Sequence, residues 1–219
     1  MSRTHPGRGA GIVPAMRVYH REYTGRPLRV LWTLEELGQP YEFEVMTHEQ
    51  GQSEEHLARH PLGRVPVLED DEGYVFESAA ICMHIADLYP EGAMMPPPGT
   101  HDRALAYQWS VFAPSEIEPP MVEAAIYNSS DPERAGKAKE RVARTAAAVD
   151  GALDGGEYLV GDRLTVADVM VSTALNFSAR AGFPELLPES LKEYVAGLRE
   201  RPAFLRAQER VSQLPAQAE

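Results

Sequence analysis

The chain has 219 residues, of which 43% are hydrophobic and 25% charged, and it carries a formal net charge of −12. This composition is ordinary for a globular protein, and no apolar run approaches the ~20 residues that a membrane-spanning helix needs. The negative charge argues against nucleic acid as a partner, because it repels a phosphate backbone. Cys82 is the sole cysteine, so an internal disulfide is excluded, which fits a reducing compartment.

Strands and helices alternate in the first part of the chain. Residues 1–15 contain Gly, Pro and Arg but lack the apolar stretch of a secretory signal, so we expect a disordered leader there. The pattern then predicts a strand at 16–20, a helix at 27–38, a strand at 41–45, a short helix at 53–60, two strands around a turn at 70–73 and a helix from about 78 to 89. This order is typical of a compact sheet with helices packed against it.

Three consecutive prolines mark a break between two domains, since they prevent helix formation and favour an extended linker. Beyond the break, the pattern predicts helices at about 102–127, 132–153, 165–180, 189–200 and 202–212, the first bent or interrupted by Pro114 and by Pro119 and Pro120. The sequence therefore predicts an α/β domain at 16–93, a linker at 94–101 and an all-helical domain at 102–219.

A helix start is encoded near residue 165. Thr165 can cap the helix, and Asp168 can return the hydrogen bond three residues later, as in a capping box. Leu164 and Val169 occupy the positions of a hydrophobic staple. We expect this start to bury the following helix in the centre of its domain, and we interpret it as a folding signal.

Four blocks of the sequence resemble the cytosolic glutathione transferases, in particular those of bacterial type. The blocks are RVLWTLEELGQPYE (29–42), HPLGRVPVLED followed by FESAAI (60–81), QWSVFAPSEIEPP (108–120) and YLVGDRLTVADV (158–169). The second and fourth are the most specific, and their order and spacing argue against chance agreement. The resemblance implies the glutathione transferase fold, in which a thioredoxin-like α/β domain is followed by an all-α domain.

The resemblance also implies where glutathione binds. Pro66 stands beside an apolar strand, although proline cannot donate a hydrogen bond to a sheet. In the family the bond before this proline is cis, and the main chain of Val65 pairs with the cysteinyl unit of glutathione. Glu77 and Ser78 lie where the predicted strand meets the next helix, whose N-terminus favours an anion. Ser78 would hold the γ-glutamyl carboxylate and Glu77 the ammonium group, whereas without the resemblance the pair is an ordinary helix cap.

Catalysis in this family stabilises the glutathione thiolate, because a free thiol titrates near ~8.5 and is mostly protonated at neutral pH. Many relatives supply a serine at the position that is Gly25 in this chain. Thr24 is the preferred replacement as hydroxyl donor and Tyr23 the second choice, with Arg26 beside them as a possible cation. Alternatively, Thr24 only caps the helix and main-chain N–H groups hold the sulfur.

Other residues near the implied site have simpler explanations. Arg64 and His48 are expected beside the tripeptide, and His60 is a further candidate for the glycyl carboxylate, but a surface role explains each of them as well. His84 and Cys82 lie within a predicted helix and are expected to be packing residues. No cluster has the spacing of metal ligands, so no metal is expected.

The co-substrate pocket is implied on the first helix of the second domain. Tyr107, Trp109 and Phe112 lie there, although aromatic residues at this spacing are as often plain core. The resemblance implies glutathione as co-substrate, a small electrophile as its partner in the reaction, and a homodimer in the cytoplasm. Neither nucleic acid nor a membrane is expected as a partner.

Two alternatives to a transferase remain open from the sequence. A non-catalytic member of the family, with a binding or regulatory role, is compatible with Gly25 in place of the usual serine. A glutathione-dependent reductase or peroxidase is the other alternative. Mixed-disulfide chemistry is disfavoured, because the 20–27 loop contains no cysteine.

Overall fold

A four-stranded sheet forms the centre of the first domain in the computed structural model, which describes residues 16–21 and 25–212. The strands, in the order β2-β1-β3-β4, are β1 (Arg17–Arg21), β2 (Glu42–Met46), β3 (Val67–Asp70) and β4 (Gly73–Phe76). β1 is parallel to β2 and antiparallel to β3, and β3 is antiparallel to β4. The leader predicted at 1–15 lies outside the described residues, as do the predicted donors Tyr23 and Thr24.

The helices of the first domain follow the predicted order. They are α1 (Arg26–Glu36), α2 (Glu54–Arg59) and α3 (Ser78–Leu88). α1 has Pro27 in its first turn, where the missing N–H costs nothing, and it buries Val30 and Leu34. It ends two residues earlier than predicted, because Gly38 has a φ of 63° and therefore already belongs to the left-handed turn. The α/β fold class of this domain is confirmed.

The second domain is helical, as predicted. Its helices are α4 (His101–Phe112), α5 (Glu118–Tyr127), α6 (Pro132–Leu153), α7 (Val166–Arg180), α8 (Glu189–Arg199) and α9 (Pro202–Ser212). A wide helical turn at Ala113–Ile117 separates α4 from α5 and contains Pro114, which interrupts the helix as expected. Pro119 and Pro120 lie in the first turn of α5, where proline is tolerated, so they stand at the start of a new helix after this interruption.

Asp168 fixes the start of α7 through the predicted capping box. Its carboxylate accepts hydrogen bonds from the Thr165 N–H at 2.8 Å and the Thr165 hydroxyl at 3.1 Å. It also accepts from the Leu159 N–H and from the Tyr194 hydroxyl, both at 2.8 Å. The residues from Val166 to Leu175 are buried apart from the half-buried Thr173, so α7 forms the centre of the helical domain.

The two domains share a continuous core, and α1 packs against both α7 and α9. Trp32 meets Phe204 edge-on, with 5.0 Å between the ring centroids. In the expected linker, the Met94 carbonyl accepts a hydrogen bond from the Val166 N–H at 3.0 Å, so this segment is bound to the start of α7. Within the described residues, no helix combines the length and the apolar character needed to cross a membrane.

Candidate functional site

A cavity of about 400 Å³ opens between the two domains. We call it the interdomain cavity. The first domain contributes residues from the end of β1, the start of α1 and the segment before β3, and the second contributes residues from α5, α7, α8 and α9. Its position places loop residues of the thioredoxin-like domain opposite the central helix of the second domain.

Val65 and Arg64 line this cavity, as the prediction of a glutathione site requires. The Val65-Pro66 peptide bond is cis, as predicted. The Arg64 carbonyl lies 2.9 Å from His56 Nε2, which must carry the ring proton because a carbonyl only accepts. His56 is completely buried and thereby anchors the segment that carries Val65.

The N-terminus of α3 has the features of an anion site. Glu77 precedes the helix with a φ of 71°, a left-handed conformation that a non-glycine residue rarely adopts. No side chain among the described residues caps the helix, so its first N–H groups remain available to a ligand. Ser78 is the first residue of α3 and is buried, and its hydroxyl oxygen accepts a hydrogen bond of 3.4 Å from Arg29.

Arg29 connects this helix start to the interdomain cavity. Its side chain is 3% exposed and forms an ion pair with Glu118 at 2.5 Å. Its Nε donates to the Thr173 hydroxyl at 2.6 Å. The Arg29 guanidinium thus extends from α1 into the space between the domains, where it contacts α3, α5 and α7.

Glu118 is held by two guanidinium groups. Arg26 donates to one of its oxygens through Nε at 3.0 Å and through Nη2 at 2.5 Å, while Arg29 pairs with the other oxygen. Burial opposes ionisation of the Glu118 carboxyl, but the two arginines outweigh it and lower its pKa. Arg26 is therefore engaged by a carboxylate, which weakens its predicted role as a cation for the thiolate.

Arg180 reaches the position where relatives carry the serine. Gly25 has no side chain, and the Arg180 Nη1 lies 3.5 Å from the point that a Cβ on Gly25 would occupy. The guanidinium thus lies against the start of α1 although Arg180 is the last residue of α7. Because Tyr23 and Thr24 lie outside the described residues, their roles stay a prediction.

The aromatic residues predicted for the co-substrate pocket lie outside the lining of the interdomain cavity. Trp109 is buried in the core and meets Phe112 edge-on at 5.1 Å between centroids. Tyr107 is 43% exposed and lies under the Arg103 guanidinium. None of these aromatic residues belongs to the lining of the interdomain cavity, whose described walls come from α5 and α7 rather than α4.

Of the two histidines considered for the site, one is exposed and the other is buried. His48 is exposed, with its Nδ1 3.4 Å from Arg21 Nη1. His60 is 4% exposed, its Nδ1 accepts from the Leu62 N–H at 3.1 Å, and burial lowers its pKa. We therefore interpret His60 as a packing residue. Cys82 is also buried, as predicted, and burial raises its pKa to about 11, which makes it a poor nucleophile.

Three residues of the site were not predicted from the sequence. Arg29 and Glu118 stand inside two of the quoted blocks, but a charge on a largely apolar helix face was not used as a signal of a buried ion pair. Arg180 carries no such signal, because its contact with Gly25 joins residues that are far apart in the chain.

Comparison with known proteins matches both domains to one family. Residues 14–87 match the family model described as "Glutathione S-transferase, N-terminal domain", and residues 102–202 match "Glutathione S-transferase, C-terminal domain". Glutathione S-transferase 4 of Zea mays is 29% identical over 204 residues, which cover 87% of this chain and 90% of that relative.

Two further similarities extend the comparison. Elongation factor 1-gamma of Trypanosoma cruzi is 36% identical over 123 residues, which cover 55% of this chain but only 29% of that relative. The crystal structure of glutathione transferase URE2P8 from Phanerochaete chrysosporium with oxidized glutathione has a TM-score of 0.83, at 22% identity over 95% of this chain and 100% of that one. At this identity the likeness concerns the fold. Since the two family models together span most of the sequence in the order of the observed domains, the chain belongs to the glutathione S-transferase family.

Proposed function

We propose that the protein binds glutathione at the edge of the interdomain cavity and transfers its thiolate to a small electrophile. The observation that carries the proposal is the grouping of Ser78, at an uncapped helix start, with the buried cation of Arg29 and with a cavity bordered by Val65. A peptide thiol with a free carboxylate at one end fits these three features together. The activity is that of a glutathione S-transferase.

Ser78 can hold the γ-glutamyl carboxylate in this arrangement. Its oxygen accepts from Arg29, so its own hydrogen remains free to donate to the ligand. The first N–H groups of α3 and the helix dipole add to the attraction of an anion. Glu77 is exposed beside the same helix start and can receive the ammonium group.

The sulfur would then lie between Val65 and the start of α1. Hydrogen bonds from a hydroxyl or from main-chain N–H groups favour the thiolate and so lower the pKa of the thiol. Each unit of this pKa corresponds to ~1.4 kcal/mol of thiolate stabilisation. Thr24 remains the preferred donor and Tyr23 the second. The thiolate attacks an electrophilic carbon of the co-substrate, which occupies the remainder of the interdomain cavity.

The test is a conjugation assay in which purified protein, glutathione and a panel of electrophiles, including 1-chloro-2,4-dinitrobenzene, are followed by absorbance. We expect a rate well above that of the uncatalysed reaction, saturable in glutathione. Saturable glutathione binding without conjugation of any electrophile would contradict the transferase activity. The same result would favour a protein that binds glutathione without catalysis.

That non-catalytic role is the second candidate. Gly25 in place of the usual serine supports it, as does the similarity to elongation factor 1-gamma of Trypanosoma cruzi. A reductase that forms a mixed disulfide on the protein is a weaker candidate, since Cys82 is buried and its pKa is raised to about 11. Reduction of a disulfide or peroxide by glutathione, without a protein thiol, belongs in the same assay panel.

We also propose a homodimer in the cytoplasm, on the basis of the family. Tyr107 and Val111 support the dimer, because these exposed apolar side chains lie one helical turn apart on α4. The location is supported by the single, buried cysteine.

A further inference from the structure

The interdomain cavity is strongly basic, although the whole chain carries a net charge of −12. Among the described residues, its lining contains one carboxylate, that of Glu118, and six arginines: Arg21, Arg26, Arg29, Arg64, Arg180 and Arg199. Arg26 and Arg29 share Glu118, so even this group keeps a net positive charge. Arg180 and Arg199 add to it, and this part of the cavity is thus a local positive field in an acidic protein.

Two of these arginines come from the helical domain and have no acidic partner among the residues that the structure describes. Arg180 makes no ion pair or hydrogen bond within the described part of the chain, and its guanidinium lies against Gly25. Arg199 is bound to the neutral Asn176, whose Oδ1 accepts from Nη1 at 2.9 Å. Asn176 stands one helical turn before Arg180 on α7, so both cations border the same part of the cavity.

The remaining wall on this side is apolar. Val122, Ala174, Phe177 and Phe204 line it, and the Arg199 guanidinium lies 5.7 Å from the Phe204 ring centroid. A ligand that fits this wall has an apolar or aromatic body. A ligand that also satisfies Arg180 and Arg199 carries an anionic group, since planar guanidinium groups pair with carboxylates in two parallel hydrogen bonds.

We infer that the co-substrate is an electrophile with an apolar body and a carboxylate, which is held by Arg180 and Arg199. This inference rests on the proposed function and names the substrate class for it. We assign these two arginines to the co-substrate because the features that fit the γ-glutamyl and cysteinyl units of glutathione, Ser78 and Val65, belong to the first domain. Arg180 and Arg199 approach from the ends of α7 and α8 on the opposite side.

A matched pair of electrophiles tests the charge preference. The probes are 4-chloro-3,5-dinitrobenzoate and 4-chloro-3,5-dinitrobenzamide, which have nearly the same shape and differ in charge. In both, the thiolate sulfur bonds to the ring carbon that carries chlorine, chloride leaves with the bonding pair, and the thiol proton goes to solvent. No oxidant or reductant is involved.

The quantity to measure is kcat/KM for each probe, divided by its uncatalysed rate, at saturating glutathione. We expect a ratio of acid to amide of about ten or more, the size of one charge-assisted hydrogen bond. Arg180→Gln should reduce this ratio about tenfold, whereas Arg180→Lys, which keeps the charge, should retain part of it. Arg144→Gln is the matched control, because Arg144 is an exposed arginine of α6 outside the lining.

Three outcomes would overturn the inference. One is the same normalised kcat/KM for the acid and for the amide. Another is an acid-to-amide ratio that Arg144→Gln lowers as much as Arg180→Gln does. The third is a loss of glutathione affinity in Arg180→Gln with an unchanged ratio, which would assign Arg180 to the glutathione site.

A direct binding measurement separates this inference from the proposed function. The unreactive pair 3,5-dinitrobenzoate and 3,5-dinitrobenzamide is titrated into the protein by calorimetry, with and without glutathione. Tighter binding of the acid, lost in Arg180→Gln, would support the anion site even in a protein that neither binds nor conjugates glutathione. Glutathione turnover without any preference for the acid would leave the proposed function intact and contradict the inference.

Discussion

Arg29 is a charged side chain in a position that is almost completely removed from solvent. A buried guanidinium is tolerated only when it is paired and hydrogen-bonded, and Glu118, Thr173 and Ser78 provide these partners from three helices. The same arrangement directs one positive charge towards the Ser78 hydroxyl. Arg29 thus positions the residue that we assign to the γ-glutamyl carboxylate.

The hydroxyl that stabilises the thiolate can be identified by substitution. If Thr24 donates to the sulfur, Thr24→Val should raise the pKa of bound glutathione by about one unit or more, because valine keeps the shape and removes a bond worth ~1.5–3 kcal/mol. Tyr23→Phe is the parallel variant. The thiolate absorbance of the complex is titrated against pH for each. If neither variant shifts this pKa, main-chain N–H groups or a cation hold the sulfur.

His20 makes the folded state sensitive to acid. It is completely buried on β1 and stacks on Phe43 at 5.3 Å between centroids, and burial lowers its pKa from 6.5 to about 4. Between these values the unfolded chain binds more protons, so stability falls as the pH drops from about 7 towards 4, by up to ~3 kcal/mol.

Urea denaturation at pH 7 and pH 5 measures this effect. The loss of stability between the two should be smaller in His20→Phe than in the wild type, because phenylalanine keeps the ring and does not titrate. His101→Phe is the control, since His101 is exposed at the start of α4. An unchanged pH dependence in His20→Phe would show that His20 is not the responsible group.

Which site residues the sequence could predict depends on whether the contact is local. Val65 and Ser78 stand beside a proline and a helix start, and both signals are visible within a few residues. The contacts of Arg29 with Glu118 and of Arg180 with Gly25 join distant parts of the chain. No periodicity or spacing encodes such pairs, since they depend on how the two domains pack.

At the scale of elements, hydrophobic periodicity together with the positions of Gly and Pro was sufficient to predict most of the helices and strands. Strands and helices of the first domain occur in the predicted order, and α1 ends two residues before the predicted boundary. α1 stops before Gly38 because that glycine is in a left-handed turn. α4 stops at the wide turn that contains Pro114, where an interruption was expected.

The capping box of α7 gives an element-scale prediction. Asp168→Asn should destabilise the protein by at least ~2 kcal/mol, because an amide nitrogen cannot accept the bonds that the buried carboxylate takes from Thr165, Leu159 and Tyr194. Thermal and chemical denaturation measure the change. Asp162→Asn is the control, since the Asp162 side chain is 85% exposed. Equal stability of the two variants would contradict a structural role for Asp168.

On the scale of the whole molecule, the proposed dimer predicts a mass of about twice 24.2 kDa by light scattering. Val111→Glu should shift the protein towards the monomer, because it puts a charge into the exposed apolar surface of α4. Leu205→Glu, at an exposed position of α9, is the matched control. A wild-type mass of 24.2 kDa at every concentration would contradict the dimer, and an unaffected Val111→Glu variant would place its interface elsewhere.

The interdomain cavity exists only because the two domains pack with α1 against α7 and α9. The first domain supplies the helix start and Val65, and the second supplies Glu118, which holds Arg29. The proposed glutathione binding therefore depends on both domains.

Calorimetric titration of glutathione into wild-type protein and Ser78→Ala tests it most directly. We predict saturable binding to the wild type and a ten- to hundredfold weaker affinity in Ser78→Ala, because the carboxylate loses one charge-assisted bond worth ~1.5–3 kcal/mol. Ser110→Ala, at a buried serine that donates to the Ala106 carbonyl on α4, should bind like the wild type. Absence of binding to the wild type, or equal affinity of Ser78→Ala and Ser110→Ala, would contradict glutathione binding at this site.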